Sequence, residues 1–294
     1  MTREVNKEEQ TDAIRYDIRP EVVNYDDVSR WIPALQGHRK LVNAVLRFLS
    51  IDKVNDVHSR HCGSPGIPFS QALVDDEFKL RLEVDNLHAL EAFRNGGAFI
   101  TVSNHPFGAL DGIVLLDLVG SVRPDFKVMV NMFLNHITAM RPSFIAVDPS
   151  ASDDAEKRRT TMQGIREAMT RVKQGHPIGF FPAGAVSKLH RDLHIYDREW
   201  QPSIMRLIQQ LNVPVVPIFF HGHNSTFFNI LGIISWKIRT LRLPAEVFRR
   251  KGKKMHISIG DPITPERQKE CADLAEFSRM LRDSTYGLRE KYRK

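Results

Sequence analysis

Short apolar runs alternate with segments of helical spacing along most of this chain, and that alternation constrains the fold more than any other feature. Strands are predicted at 79–84, 98–103, 127–131, 143–147, 177–182, 213–220 and 254–260. Helices are predicted at 86–95, 112–121, 153–175 and 203–212, with a long polar helix from Pro265. Strands alternating with helices are typical of an α/β fold, so we expect a largely parallel central sheet flanked by helices.

The chain divides into three predicted regions. Residues 1–20 are polar and are predicted to be mobile. Residues 21–70 form a predicted N-terminal helical region, with a break at Gly37 and a loop at 61–69. Residues 71–294 form the predicted α/β domain.

Composition and charge narrow the functional classes. The net charge of +7 favours an acidic partner, such as nucleic acid, an anionic membrane or an acidic carrier protein. No nucleic-acid-binding module is recognisable, so nucleic acid is not expected. No run of about 18 apolar residues predicts a transmembrane helix, and the charged N-terminus does not resemble a secretory signal. Cys62 and Cys271 are far apart, which fits a reducing cytoplasm better than a disulfide scaffold.

A basic segment directly follows an apolar one. The run "FFNILGIISW" at 227–236 is apolar but too short to span a bilayer. The cations that follow it are Lys237, Arg239, Arg242, Arg249, Arg250, Lys251, Lys253 and Lys254. This surface is either an ordinary solvated face or an interfacial membrane segment, because an apolar face beside cations suits an anionic lipid surface.

The stretch "TVSNHPFGALDG" at 101–112 carries the first candidate chemistry. His105 could act as a general base, and Asp111 could orient it and stabilise its charged form. Residues six apart do not share a face of a regular helix, so the pair could meet only across a turn built by Pro106 and Gly108. The alternative is that Asp111 only caps a helix that begins at Gly112.

Other polar groups also follow predicted strands. The residues of 183–187 and 221–225 lie, like His105, where the working groups of parallel sheets gather. The turn in "GFFPAGAVSK" could present backbone N–H groups to an oxyanion or could be an ordinary tight turn. His221 and His223, and the "HSRHC" stretch at 58–62, lack a second ligand cluster, so no metal site is predicted.

Taken together, these pieces resemble the glycerolipid (lysophospholipid) acyltransferase family. The first signature block of that family matches Asn104, His105 and Asp111. The Phe-Pro-x-Gly block resembles "FPAGAVS" at 181–187, and the Val-Pro-x-x-Pro block resembles "VPVVPIFFHG" at 213–222. A weaker counterpart of the remaining block, "RPSFIAVDP", begins at Arg141. The resemblance covers about 95–225, with weaker likeness to 265, and it implies that 71–294 is an acyltransferase domain.

The resemblance assigns roles to individual residues. It implies that His105 is the general base, that Asp111 orients it, and that backbone N–H groups near Gly184 stabilise the oxyanion. The implied substrate-binding residues are Asn104, Arg141, Phe181, Pro182, Gly184, Ser187 and Lys188. No metal and no cofactor is implied beyond the co-substrate, which is acyl-carrier protein or coenzyme A carrying an acyl thioester.

Two departures from the family pattern point to the acceptor. Five residues separate His105 from Asp111, where four are usual. Ala183 and Val186 replace a Glu and an Arg that the family associates with a phosphate-bearing acceptor, and losing the cation removes a charge-assisted bond. Both departures resemble the hemolysin-like subgroup, whose relatives O-acylate lyso-ornithine or lyso-glycine lipids.

The sequence therefore predicts an O-acyltransferase for a lyso-aminolipid, cytoplasmic and peripheral on the inner membrane. One alternative is a 1-acylglycerol-3-phosphate acyltransferase. The other is a non-enzymatic, hemolysin-like membrane-binding protein, in which the basic amphipathic segment would be the active part.

Overall fold

The computed structural model describes residues 16–148 and 154–292. Its helices are α1 (Tyr25–Trp31), α2 (Arg39–Phe48), α3 (Ile51–His61), α4 (Ile67–Ala72), α5 (His88–Glu91), α6 (Ala109–Gly120), α7 (Ala155–Lys173), α8 (Pro202–Leu211), α9 (Thr226–Ile234), α10 (Trp236–Leu241), α11 (Leu243–Phe248), α12 (Pro265–Lys269) and α13 (Leu274–Lys291). Its strands are β1 (Arg81–Asp85), β2 (Ile100–Ser103), β3 (Lys127–Asn131), β4 (Phe144–Val147), β5 (Ile178–Phe180), β6 (Lys188–Leu189), β7 (Ile195–Tyr196), β8 (Val215–Phe220) and β9 (Lys254–Ile259).

Seven strands form one sheet in the order β1-β9-β8-β2-β5-β3-β4, and β6 and β7 form a separate antiparallel hairpin. The neighbours from β8 to β4 are parallel, and β1 is parallel to β9. The junction between β8 and β9 is antiparallel. The predicted largely parallel sheet is confirmed, with the β1–β9 pair running opposite to the other five strands. The carboxyl ends of β2, β5 and β8 therefore meet at one edge.

Helices cover both faces of this sheet. On one face α6 packs into a core with β1, β8 and β9, in which Val114 and Leu115 are fully buried. On the other face α7, α8 and α13 cover β2 and β5, and Phe277 and Leu281 of α13 are fully buried. Two separate apolar layers thus fix the sheet from above and below.

The N-terminal helical region is confirmed, with more breaks than predicted. The chain turns at Gly37, as expected, and again at Ser50, where φ is +62°. α4 begins inside the predicted loop at 61–69. Of the predicted mobile segment, residues 1–15 lie outside the described residues, and Arg19 is hydrogen-bonded to Thr138.

Two other predicted helices differ from the structure. The prediction at 86–95 shrinks to the single turn α5. The predicted polar C-terminal helix is two helices, and the second of them buries an apolar face. Within 16–148 and 154–292, no helix combines the length and the apolar character needed to cross a bilayer.

Candidate active site

The loop 104–108 carries the chain from the carboxyl end of β2 into α6. It ends at Gly108, the residue before the helix, where φ is +74°. A Cβ at this position would lie 2.8 Å from the side chain of Leu243. Glycine therefore permits both the left-handed turn and the close packing of α11 against the loop.

His105 and Asp111 meet across this loop. The Nδ1 atom of His105 lies 3.0 Å from Oδ2 of Asp111. The same oxygen accepts hydrogen bonds from the backbone N–H groups of Phe107 at 2.8 Å and Gly108 at 3.0 Å. Asp111 therefore caps the start of α6, which begins at Ala109 and not at the predicted Gly112, and it also faces His105.

The His105–Asp111 contact is close but not linear. The Nδ1 atom is within hydrogen-bond distance of the carboxylate, yet no aligned hydrogen bond joins it to any described residue. A rotation of the ring would align the two groups, and catalytic hydrogen bonds are often loose before substrate binds. A proton on Nδ1 would face the Asp111 carboxyl group, and Nε2 would then be available as the base.

The carboxylate of Asp111 has no exposed surface. Its complete burial raises its pKa, while His105 and the two loop amides act in the opposite direction. Asp111 is the third residue of α6, so its carboxyl group also lies near the positive end of the helix dipole. Burial is the largest of these effects, so the pKa of Asp111 is raised, while the opposing contacts join the buried carboxyl group to the His105 loop.

An aromatic side chain packs against one face of the histidine. The ring of Phe181 stacks on the ring of His105, with 4.2 Å between the centroids and 30° between the planes. The guanidinium of Arg250 lies over the ring of Phe107 at 4.0 Å from its centroid. The side chain of His105 keeps 18% of its surface exposed. The ring is thus held on one face and remains reachable from solvent.

Asn104 joins two parallel strands behind the histidine. Its side-chain amide donates to the carbonyl of Phe220 at 2.9 Å, and its carbonyl accepts from the N–H of Phe220 at 2.7 Å. Because both ends of the amide are used in this way and the residue is 4% exposed, Asn104 braces β2 against β8. The structure places it beneath the site rather than at a substrate surface.

The FPAG turn at 181–184 shows which amide near Gly184 is already in use. The N–H of Gly184 donates to the carbonyl of Phe181 at 2.9 Å, so it closes the turn and is not presented to an oxyanion. Gly184 has φ +61°, and a Cβ there would lie 2.1 Å from Nε2 of Gln201. The carbonyl of Pro182 accepts the N–H of Gln201 at 2.9 Å. This turn is therefore fixed against the start of α8.

A family model described as acyltransferase matches residues 77–293. The chain belongs to this acyltransferase family. The lyso-glycine lipid O-acyltransferase of Phocaeicola vulgatus is 26% identical over 85% of this chain and 88% of its own length. The enzyme of the same name from Bacteroides thetaiotaomicron is 24% identical over 84% of this chain and 89% of its own length. The crystal structure of the 1-acyl-sn-glycerophosphate acyltransferase PlsC from Thermotoga maritima is 17% identical, with a TM-score of 0.47 over 74% of each chain.

Asp197 of this acyltransferase lies in the stretch 189–198, for which the sequence offers only second-rank candidates for acceptor contacts, and its buried position in the site was not predicted. Its Oδ1 atom accepts the hydroxyl of Ser187 at 2.5 Å and the backbone N–H of His105 at 3.2 Å. The indole of Trp200 donates to the other carboxylate oxygen at 3.4 Å. Burial raises the pKa of Asp197, and its contacts with Ser187 and His105 oppose that effect. Asp197 follows the hairpin outside every motif, so no local pattern identified it.

The remaining predicted substrate-binding residues of the acyltransferase lie in different places. Ser187 is buried, and its hydroxyl is used by Asp197. Arg141 donates to the backbone carbonyls of Asn135 and Tyr16, so it holds the chain near the N-terminus rather than facing His105. Lys188 is exposed on β6 and lines an open cavity of about 440 Å³ with His190 and Arg191 of the hairpin.

The structure also shows the surroundings of the other histidine and cysteine residues considered in the sequence. Nδ1 of His223 bonds the carbonyl of Asn224, as expected of a loop residue. His58 is buried and contacts the carbonyl of Pro20. Burial raises the pKa of the Cys62 thiol, which argues against a thiolate nucleophile there. Among the described residues, His221 lies near a further histidine and an aspartate, which are described below.

Proposed function

We propose that this acyltransferase transfers a fatty acyl group from an acyl thioester to the hydroxyl of a lyso-lipid, specifically a lyso-aminolipid of the glycine or ornithine type. The observation that carries the proposal is the 3.0 Å approach of His105 to the buried Asp111 at the carboxyl edge of the sheet. The curated relatives named lyso-glycine lipid O-acyltransferase support this acceptor class.

The proposed reaction uses His105 as the base. Nε2 takes the proton of the acceptor hydroxyl while Asp111 stabilises the imidazolium that forms. The acceptor oxygen attacks the thioester carbonyl, and the tetrahedral intermediate collapses by breaking the C–S bond. The departing thiolate then takes the proton from His105, so the products are an ester and a free thiol and the enzyme is unchanged.

Oxyanion stabilisation falls to the amides that follow Gly184. The N–H groups of Ala185 and Val186 donate no hydrogen bond within the part of the chain that the structure describes. They lie on the same turn as Phe181, which stacks on His105. Two adjacent backbone donors are suited to a developing oxyanion.

Packing around Val186 supports an acceptor without phosphate. A Cβ at Gly108 would lie 3.1 Å from Cγ2 of Val186, so the position where the family carries an Arg is filled by an apolar contact with the His105 loop. The nearby cation Arg239 donates to the carbonyls of Val186 and Ser187 and is buried. Neither side chain offers a free cation to a phosphate, which disfavours a 1-acylglycerol-3-phosphate acceptor.

Charge and exposure support the proposed donor and location. Acyl-carrier protein and coenzyme A are both acidic, and the net charge of +7 suits either donor. No other cofactor and no metal is required by the proposed reaction. We place the enzyme on the cytoplasmic face of the inner membrane, held by the apolar side chains of α9 and α10.

The exposed apolar side chains of α9 and α10 support that placement. Ile233, Ile234 and Trp236 expose 68%, 72% and 66% of their surfaces. Lys237 and Arg242 adjoin them, with cations over the rings of Trp236 and Phe227. Apolar side chains flanked by cations are the pattern of an interfacial anchor.

The test is acyl transfer by the purified protein. With acyl-carrier protein or coenzyme A thioester, lyso-glycine or lyso-ornithine lipid should be acylated, and lysophosphatidate should be acylated much more slowly. His105→Ala should lower turnover by about 10²–10⁴-fold, because it removes the general base. His194→Ala, an exposed histidine of the β6–β7 hairpin, is the matched control and should retain full turnover.

Two results would contradict the proposal. Full turnover by His105→Ala, with its circular dichroism spectrum unchanged, would exclude the mechanism. Vesicle leakage without any acyl donor, unaffected by that substitution, would favour the non-enzymatic alternative.

A further inference from the structure

Side chains of the types that ligate metals meet at three adjacent strands outside the site described above. Asp85 ends β1, His256 lies on β9, and His221 directly follows β8. One ligand atom from each of these three residues lies within 4.8 Å of the others. The strand register explains why Asp85 and His256 are close. Asp85 pairs with Ser258 of β9, and His256, two residues before Ser258, lies on the same face of that strand.

The imidazole groups of this cluster converge on one carboxylate. The rings of His221 and His256 are stacked, with centroids 3.9 Å apart and planes 16° apart. Nε2 of His256 contacts Oδ2 of Asp85. Nε2 of His221 lies 2.8 Å from Oγ of Ser258, and that hydroxyl donates to the same Asp85 oxygen at 2.9 Å.

We propose that Asp85, His221 and His256 bind one Zn²⁺ ion. Two imidazole nitrogens and one carboxylate oxygen form a ligand set that zinc accepts, whereas magnesium and calcium prefer oxygen alone. Ser258 does not ligate. Its hydroxyl orients Asp85, as hydrogen-bonded partners of ligating carboxylates commonly do.

The exposure of the cluster is compatible with entry and retention of an ion. The side chains of Asp85 and His256 expose 19% and 16% of their surfaces, while Ser258 is fully buried. An ion can therefore reach the ligands from solvent, with a fixed hydroxyl behind them. Its fourth position would be filled by water.

The site would join the reversed strand pair to the parallel strands. Asp85 and His256 belong to β1 and β9, whereas His221 follows β8 across the antiparallel junction. None of the three residues contributes to the proposed acyl transfer, so zinc binding here goes beyond the proposed function. Because the folded chain alone brings these strands together, bound zinc should stabilise it.

The experiment measures zinc directly. Protein freed of metal by chelation is titrated with Zn²⁺ by competition against a chromophoric chelator, and its melting temperature is recorded with and without the ion. One tight equivalent and a raised melting temperature are expected. His256→Gln and His221→Ala should each weaken the tight site by about 100-fold or more, since removal of an outer partner alone costs 10–100-fold.

A matched control distinguishes zinc binding at this site from zinc binding by other histidines, of which the chain has 12 in all. His223→Ala lies two residues from His221, outside the cluster, and should leave affinity and melting temperature shift unchanged. Circular dichroism confirms that each variant is folded, and the conservative His256→Gln guards against loss of the fold. Equal zinc affinity in the wild type, His221→Ala and His256→Gln, or no tight equivalent in the wild type, would overturn the proposal whether or not acyl transfer is observed.

Discussion

Asp197, whose role the sequence did not indicate, connects the two halves of the candidate site. It receives the backbone N–H of His105 and the hydroxyl of Ser187, which belong to different signature blocks. The N–H of Asp197 in turn donates to the hydroxyl of Tyr286 on α13 at 2.9 Å. His105 and Asp111 could be predicted from the ordered blocks, whereas a buried carboxylate that bonds mainly across the fold leaves no local signal.

Asp197→Ala should impair turnover as well as stability. It leaves the buried donors of Ser187 and His105 unpaired, which costs about 1–3 kcal/mol per group. Displacement of the His105 loop should lower kcat at least about tenfold, because small misplacements of catalytic groups are costly. Steady-state kinetics and urea unfolding would measure both effects, with Asp192→Ala on the exposed hairpin as control. Loss of stability with kcat unchanged would restrict Asp197 to a structural role.

Asp117 in α6 should make stability depend on pH. Burial and the charge of Asp75 raise its pKa from 3.8 to about 6. The folded state therefore binds the proton more tightly than the unfolded state, and stability falls as pH rises from about 4 to 6. Asp117→Asn carries no charge at this position and so avoids the loss of stability. Its free energy of unfolding relative to the wild type should therefore increase from pH 4 to pH 6 and stay constant above pH 6.

The expected advantage of Asp117→Asn at pH 7 is on the order of 1 kcal/mol, reduced from the full shift because the side chain is only partly buried. Urea unfolding at several pH values would measure it. An advantage that is the same at pH 4 and pH 7 would argue against this ionisation.

At the level of elements, helices and strands whose apolar residues recur with a clear period were predicted well. β3 coincides with its prediction, and β2, β4 and α8 differ from theirs by a residue or two at their ends. The prediction at 86–95 was too long because the chain continues after α5 in tighter turns, in which the N–H groups of Phe93 and Arg94 donate to carbonyls only three residues back. The buried face of α13 was missed because its apolar residues, including Phe277 and Leu281, are separated by charged side chains.

The α9–α10 surface should control membrane binding. Replacing Ile233 and Ile234 by serine removes two large exposed apolar side chains, each worth about 1.5–3 kcal/mol when fully buried. Partitioning onto vesicles of anionic phospholipid should fall at least about tenfold, as measured by co-sedimentation. Met162→Ser is the matched control, since Met162 is 49% exposed on α7, away from this surface. Equal binding by all three proteins would dismiss α9 as an anchor.

At the scale of the whole molecule, the two apolar layers make the C-terminal helix essential. Leu281 of α13 is fully buried in the layer that also covers β2 and β5. Leu281→Ala should lower the free energy of unfolding by about 2–5 kcal/mol. Urea unfolding would measure the loss, and Arg279→Ala on the same helix should change stability by less than about 0.5 kcal/mol. A similar loss from both substitutions would contradict the assignment of α13 to the core.

The reversed edge of the sheet has a consequence for the order in which the chain can fold. Glu83 of β1 and Lys254 of β9 form an ion pair although they are 171 positions apart. During synthesis β1 therefore emerges long before β9, its one neighbour in the sheet among the described residues, and closing so long a loop slows folding. An unpaired strand edge is prone to association with other chains, so refolding yield should fall steeply with protein concentration, and the nascent chain should depend on chaperones until β9 has left the ribosome.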